Sequence, residues 1–375
     1  MDATRTLVLI TVDVECSVGT TYFPGGGEPV DPAIAIYGRL GRGQEYGIPR
    51  IMAVLEEHGL RGVFFTEALC ARYFGQIRLR QICRDIATRG HDVQLHLDPI
   101  WQNVIPGKSH ARPRASDDLR DYPAEVQRAL VAEGLNRLAD AGGDALCAFR
   151  AGNFAANDAT LRTLAELRIP YSSNHNAAIF PQSWDLRFSR WINDLHAHHD
   201  VYEFPITCFA DRRLVGTHEW RPLQICAASR GELRCVLDQA HALGMRVLTV
   251  VLHSFELMDR VDATKHRLVP SPKNEARLRF LCAELAARRR EYRVCTFADL
   301  HTGRIELPQP WPPEMHALPR STRWNWFCRV AEQAASRAAV RMAAIRLRRK
   351  WRAEANGAIW RLDSYEAGGA TTKSR

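Results

Sequence analysis

At 375 residues, with 46% hydrophobic and 25% charged side chains, the chain has an ordinary globular composition and enough length for one barrel-sized domain or two smaller ones. No apolar run is long enough to span a bilayer, and acidic residues interrupt the N-terminal stretch MDATRTLVLITVDVE, so a cytoplasmic protein without a transmembrane helix is expected. The net charge of +9 is the surplus of one segment, positions 320–352, where ten Arg or Lys residues face the single acid Glu332; it therefore argues neither for a basic active-site groove nor for a nucleic-acid-binding domain.

In chain order, a strand-like run at 7–12 leads through a Gly- and Pro-rich loop at 21–32 to an amphipathic helix at 48–59. A strand at 61–67 precedes a helix through 81–90 that stops at Gly90, and 91–97 is the third strand. A proline-containing polar loop, a helix at 123–141 and a strand at 145–150 follow. Residues 158–168 have helical spacing with Asp158 placed as N-cap, and 169–173 returns as a strand. The strand 201–207, helix 231–244, strand 245–253, helix 272–289 and strand 292–297 complete the series. This alternation predicts an α/β fold, a parallel sheet with crossover helices closed or nearly closed into a barrel. Past the proline cluster at 307–319 the pattern changes to one long basic helix, which sets a boundary near 315, with a barrel over 1–315 and a helical extension over 316–375. The ten cysteines are scattered with no CxxC pair, as expected of reduced core thiols.

Several strands end on ionisable residues. LVLITV runs into Asp13-Val14-Glu15, VQL into His96-Leu97-Asp98, LCAF into Arg150-Ala151-Gly152, and RVLTVVL into His253. In a parallel barrel the carboxyl ends of the strands open onto one face, where such folds keep their chemistry. Residues i and i+2 of an extended chain point the same way, so Asp13 and Glu15 share a side, as do His96 and Asp98. Same-face carboxylates at the end of an apolar strand are costly unless paired or metal-bound. His96 by itself reads as a core histidine, and His253 as a polar group bonded to backbone. HAHHD at 196–200 reads as a solvated turn, His175 as a loop residue, Ser172 and Ser173 as strand-end pocket residues, and Trp101 and Trp184 as faces for sugar stacking.

The order Asp13, His96, FRAG at 149–152 and LHS at 252–254 resembles the polysaccharide deacetylase family, also called the NodB-homology or carbohydrate esterase 4 fold, over roughly residues 5–302. The resemblance implies a distorted (β/α) barrel binding one divalent metal and removing acetyl groups from N-acetylated sugars. Family position makes Asp13 the catalytic base, although the residues alone leave base and ligand interchangeable between Asp13 and Glu15. Glu15, His96 and Asp98 would hold the metal, Arg150 would keep the base ionised, and His253 would protonate the departing amine. The chain departs from the family pattern. Val14 separates two carboxylates that are usually adjacent, Ile100 stands where a second histidine is usual, and Gly152 replaces a proline at the loop shaping the sugar pocket. Zinc is the expected metal, and a carboxylate-rich shell would also admit manganese, cobalt or iron.

The expected function is thus metal-dependent removal of an N-acetyl or similar acyl group from an amino sugar of a surface polysaccharide, exopolysaccharide or precursor. A barrel that has lost catalysis and binds sugar or scaffolds a polysaccharide-synthesis assembly is the alternative. The C-terminal helix, rich in Arg and Trp, reads either as lying on an anionic membrane surface or as packing on the barrel or a protein partner; no nucleic acid is expected.

Overall fold

β1 (Thr6–Val14) is buried at every position, as a strand covered on both faces must be, and in the computed structural model it is central to a parallel sheet. The structure describes residues 5–16, 29–41, 43–104, 116–179, 184–185, 192–211, 219–262, 267–310 and 318–366. Most of the glycine-rich loop read at 21–32, and the boundary read near 315, lie outside them.

One side of β1 pairs with β7 (Val247–His253), while the other pairs with β8 (Tyr292–Val294) near its start and with β2 (Val63–Glu67) near its end. From β2 the parallel order continues through β3 (Asp92–Leu97), β4 (Ala148–Ala151), β5 (Tyr171–Ser172) and β6 (Val201–Glu203), and the short strand His196–His198 adds antiparallel to β6. Beyond β6 the chain reaches back to β7. The Thr207 N–H bonds the Thr249 carbonyl at 3.1 Å, and the Thr249 N–H bonds Thr207 Oγ1 at 2.8 Å. These bonds join the two ends of the sheet into a distorted (β/α) barrel.

The pleat sorts β1 into two rows. Val8, Ile10, Val12 and Val14 pack outward with the helices, whereas Leu7 and Leu9 join Phe65, Ala148, Phe204 and Phe297 in the barrel interior. The covering helices are α1 (Ile48–Glu57), α2 (Gln76–Ala87), α3 (Ala124–Asp140), α4 (Asp158–Glu166), α5 (Arg230–Ala242) and α6 (Pro272–Ala287). Gly134 lets α3 lie close to the sheet, since a Cβ there would come 2.8 Å from Leu95 Cδ1. α4 is capped one residue earlier than Asp158: the Asn157 side chain accepts the Thr160 N–H, and Asp158 becomes the first helical residue. α2 begins at Gln76 and not near 81, because Gly75, at φ +85°, breaks the preceding turn without supplying a polar cap.

α7 (Arg323–Glu366) docks on the barrel through ions. Buried Arg329 pairs with Asp211 and with Glu232 at 3.1 Å, and Arg277 on α6 meets Glu332 at 2.8 Å. An apolar cavity of about 990 Å³ remains between α6 and α7. Replacing Arg329 by Met leaves two carboxylates without their buried cation, so a loss of about 3–5 kcal/mol in denaturant-measured stability is expected. An unchanged midpoint would show that this pair does not hold the helix.

Candidate active site

The inward row of β1 turns polar as it nears the carboxyl end of the strand: after Leu7 and Leu9 come Thr11 and Asp13, and Glu15 follows just past it. Register supplies the rest. Asp13 lies opposite His253 on β7, and His96 on β3 lies between Glu67 on β2 and Arg150 on β4. Asp13, Glu15, His96, Asp98 and His253 thereby meet around one pocket of about 160 Å³, which Asp117, Ala151, Asn153 and Phe154 complete.

Arg150 is fully buried, yet each arm of its guanidinium has a partner. Nε donates to the Ser173 carbonyl at 2.9 Å, Nη2 to Ser173 Oγ at 2.7 Å, and Nη1 to Thr11 Oγ1 at 2.9 Å and Asp13 Oδ1 at 2.6 Å. The Phe65 ring lies 4.3 Å beneath the guanidinium carbon. Burial pushes the Asp13 carboxyl up, but Arg150, His96 and His253 outweigh it and hold Asp13 below its ordinary value. With Oδ1 engaged, Oδ2 faces His253 Nε2 at 4.0 Å.

His253 is set from behind by Glu256, whose Oε1 lies 2.8 Å from Nδ1. Burial alone would discharge this imidazole; the bond to Glu256 and the charges of Glu15 and Asp13 raise it instead to about 10. Gln224 and the Cys226 N–H donate to the same Glu256 carboxylate and fix its orientation.

His96 Nε2 lies 3.6 Å from Asp98 Oδ1 and 3.8 Å from Glu15 Oε2. These separations are long for hydrogen bonds and close to the roughly 3.4 Å edge of a tetrahedron whose ligands stand about 2.1 Å from one ion. Asp98 Oδ2 and His96 Nδ1 are buried without a hydrogen-bond partner. Against burial, Asp98 and Glu15 raise the His96 imidazole to about 9, while burial and neighbouring charge push Asp98 well up and Asp117 up to about 6. The site draws protons because it carries an excess of negative charge, and an imidazole with two carboxylates is a donor set that fits a divalent cation.

No protein-family model matches the chain, and no curated protein does. Among solved structures, it is similar to a candidate polysaccharide deacetylase from Mycobacterium smegmatis, at 18% identity and TM-score 0.49, covering 84% of this chain and 96% of that one. It is also similar to a family 4 acetyl xylan esterase from Clostridium thermocellum in complex with cobalt (13% identity, TM-score 0.39, 84% and 98% covered). A third is the peptidoglycan deacetylase PdaC from Bacillus subtilis (11%, 0.36, 81% and 94%). The solved structures it is similar to thus include polysaccharide and peptidoglycan deacetylases and a family 4 acetyl xylan esterase.

Other residues read from the sequence as pocket-lining fall elsewhere. Trp101 is 1% exposed and packs against Tyr73 and Phe74, so it offers no face to a sugar; the 3₁₀ turn Pro99–Asn103 swings it into the core beside Ile100. Ser172 and Ser173 are fully buried. Ser173 supports Arg150, and Ser172 Oγ accepts from Asn174 Nδ2 at 2.8 Å. Gly152 acts by close approach: a Cβ there would overlap Asp98 Oδ1. His175 is buried behind the site, its imidazole pushed down to about 3 by burial and His196. The HAHHD segment forms the edge hairpin, where His198 Nε2 lies 3.4 Å from Asp158 Oδ1. The Trp184 side chain lies outside the described residues.

Sequence reading misses Glu67, Asp117 and Glu256. Glu67 accepts the N–H groups of Leu69, at 2.5 Å, and of Asp98, fixing the backbone that presents Asp98. Its signal is present in the sequence, since RGVFFTE is a further apolar strand ending on a carboxylate. Asp117 and Glu256 sit in irregular chain, where no periodicity assigns a face.

Gly152→Ala would force the Asp98 carboxylate aside, so cobalt affinity is expected to fall about 10–100-fold while the thermal midpoint moves little. A cobalt titration giving parental affinity would contradict the close approach.

Proposed function

We propose that this protein is a divalent-metal-dependent hydrolase that removes an acetyl or similarly small acyl group from the nitrogen of an amino sugar in a polysaccharide or its precursor. The observation that carries this reading is the arrangement around the pocket: Asp13 clamped by Arg150, His253 backed by Glu256, and Glu15, His96 and Asp98 spaced as ligands. The amino-sugar class comes from the motif resemblance of Asp13, His96, FRAG and LHS. At about 160 Å³ the pocket is well below the ~300–1,000 Å³ of cavities that engulf a drug-sized ligand. It suits an acyl group entering from a sugar that stays at the mouth.

Glu15, His96 and Asp98 would hold the ion, which when bound polarises an acyl oxygen and lowers the pKa of water. Asp13, ionised through Arg150, takes a proton from the attacking water at Oδ2, the oxygen that Arg150 leaves uncommitted. Oxygen adds to the acyl carbon, and the carbon–nitrogen bond then breaks. His253, cationic through Glu256, gives its Nε2 proton to the leaving nitrogen, so the products are a carboxylic acid and a free amine. Glu256 keeps the imidazole in the orientation that points Nε2 into the pocket.

In an assay of acetate released from N-acetylglucosamine oligomers by zinc- or cobalt-supplemented protein, Asp13→Asn and His253→Ala are each expected to lower kcat about 10²–10⁴-fold. Chelation is expected to abolish turnover in the parent. If both variants kept parental turnover, the assigned proton transfers would be wrong; a supplemented parent that released no acetate from such sugars would remove the substrate class.

A further inference from the structure

One side of α7 docks on the protein through two ionic side chains, and an apolar stripe faces out. Arg329 and Glu332 face the covering helices α5 and α6 and form the ionic contacts that dock α7, with Ser336, Val340 and Ala343 continuing along that half-buried side. Away from them, Trp324, Phe327, Ala331, Ala334, Ala338, Met342 and Ile345 are all exposed, Trp324 by 69% and Phe327 by 54%, with Met342 also edging the cavity between α6 and α7. At 100° per residue these positions fall within an arc of roughly 80°, a continuous stripe along six turns of helix. The Trp324 and Phe327 rings stack on each other at 5.9 Å.

We infer that this stripe is a docking surface for an anionic lipid bilayer, on which α7 lies in the interfacial plane. Charge selects the occupant. Arg323, Arg337 and Arg341 are exposed along one border of the stripe, and the only acid between 323 and 345, Glu332, is turned inward against Arg277. In sequence, Arg346, Arg348, Arg349, Lys350 and Arg352 follow, with Trp351 among them. An antiparallel pair of copies would set one arginine border against the other, which is unfavourable. Anionic headgroups complement those borders while the aromatic and aliphatic side chains enter the headgroup–acyl boundary. No described helix is long and apolar enough to cross a membrane, in keeping with a helix that lies on the surface.

The test is flotation of the full chain with phosphatidylcholine vesicles with and without phosphatidylglycerol. Recovery with the anionic vesicles and little with phosphatidylcholine alone is expected. Trp324→Ser/Phe327→Ser should remove most of that recovery, and Arg337→Gln/Arg341→Gln should lower partitioning about thirtyfold, the effect of two basic side chains at an anionic surface. These positions are exposed, so thermal midpoints should match the parent and rule out misfolding as the cause. Absence of recovery with anionic vesicles, or parental recovery by the stripe variant, would overturn the proposal. A concentration-dependent dimer lost in the stripe variant, with no vesicle binding, would assign the surface to a second copy instead.

Discussion

Carboxylates outnumber permanent cations at the carboxyl ends of these strands, and the site's organisation follows from that imbalance. Asp13, Glu15, Glu67, Asp98 and Asp117 lie in or just behind one small pocket, and Arg150 is the sole permanently charged cation among the described residues that contact them there. Several kcal/mol attach to each carboxylate buried without compensation, so charge has to be supplied or removed. The protein alone answers with protons: both site imidazoles are raised, and burial together with neighbouring charge pushes Glu67, Asp98 and Asp117 up. A bound divalent ion would answer the same demand from the other direction. The features that make the pocket electrostatically costly are therefore also ones that suit it to a divalent cation.

Arg150 and the carboxylate it clamps escape that competition. Thr11 and Asp13 are strand residues held in register, and Ser173, just past β5, is held by its N–H on the Phe149 carbonyl, so the clamp is fixed in place. Asp13 is held below its ordinary value, whereas Asp98, as deeply buried, is pushed well above its own. Arg150 keeps one carboxylate ionised beside others that burial and neighbouring charge push up. Glu67 fixes the Asp98 backbone, and Gly152 leaves room for the Asp98 side chain.

The barrel is legible in the sequence because its strands are short apolar runs separated by helices with regular periodicity. Period-two alternation also puts Asp13 and Glu15 on one side before any coordinates are known. Reading fails where the chain leaves regular structure. Trp101 stands three residues past Asp98 and looks like a pocket wall, but the 3₁₀ turn after β3 resets its direction and sends the indole into the core. Glu256 follows His253 through a turn, and its role depends on that turn bringing its carboxylate back to Nδ1. Ser172 ends the two-residue strand β5 and bonds Asn174, and Ser173 just past it is already engaged by Arg150. For α7 the sequence shows the composition, while only the docked helix shows that Arg329 and Glu332 face inward and Trp324 and Phe327 outward.

The central claim, that this carboxylate-rich pocket is built for a cation, is tested most directly by elemental analysis of protein purified without chelator, with His96→Ala alongside. Near-stoichiometric divalent metal in the parent and its loss in the variant is the expected result. Absence of metal from both after incubation with zinc, manganese and cobalt would contradict the account and leave the pocket's negative charge balanced by protons alone.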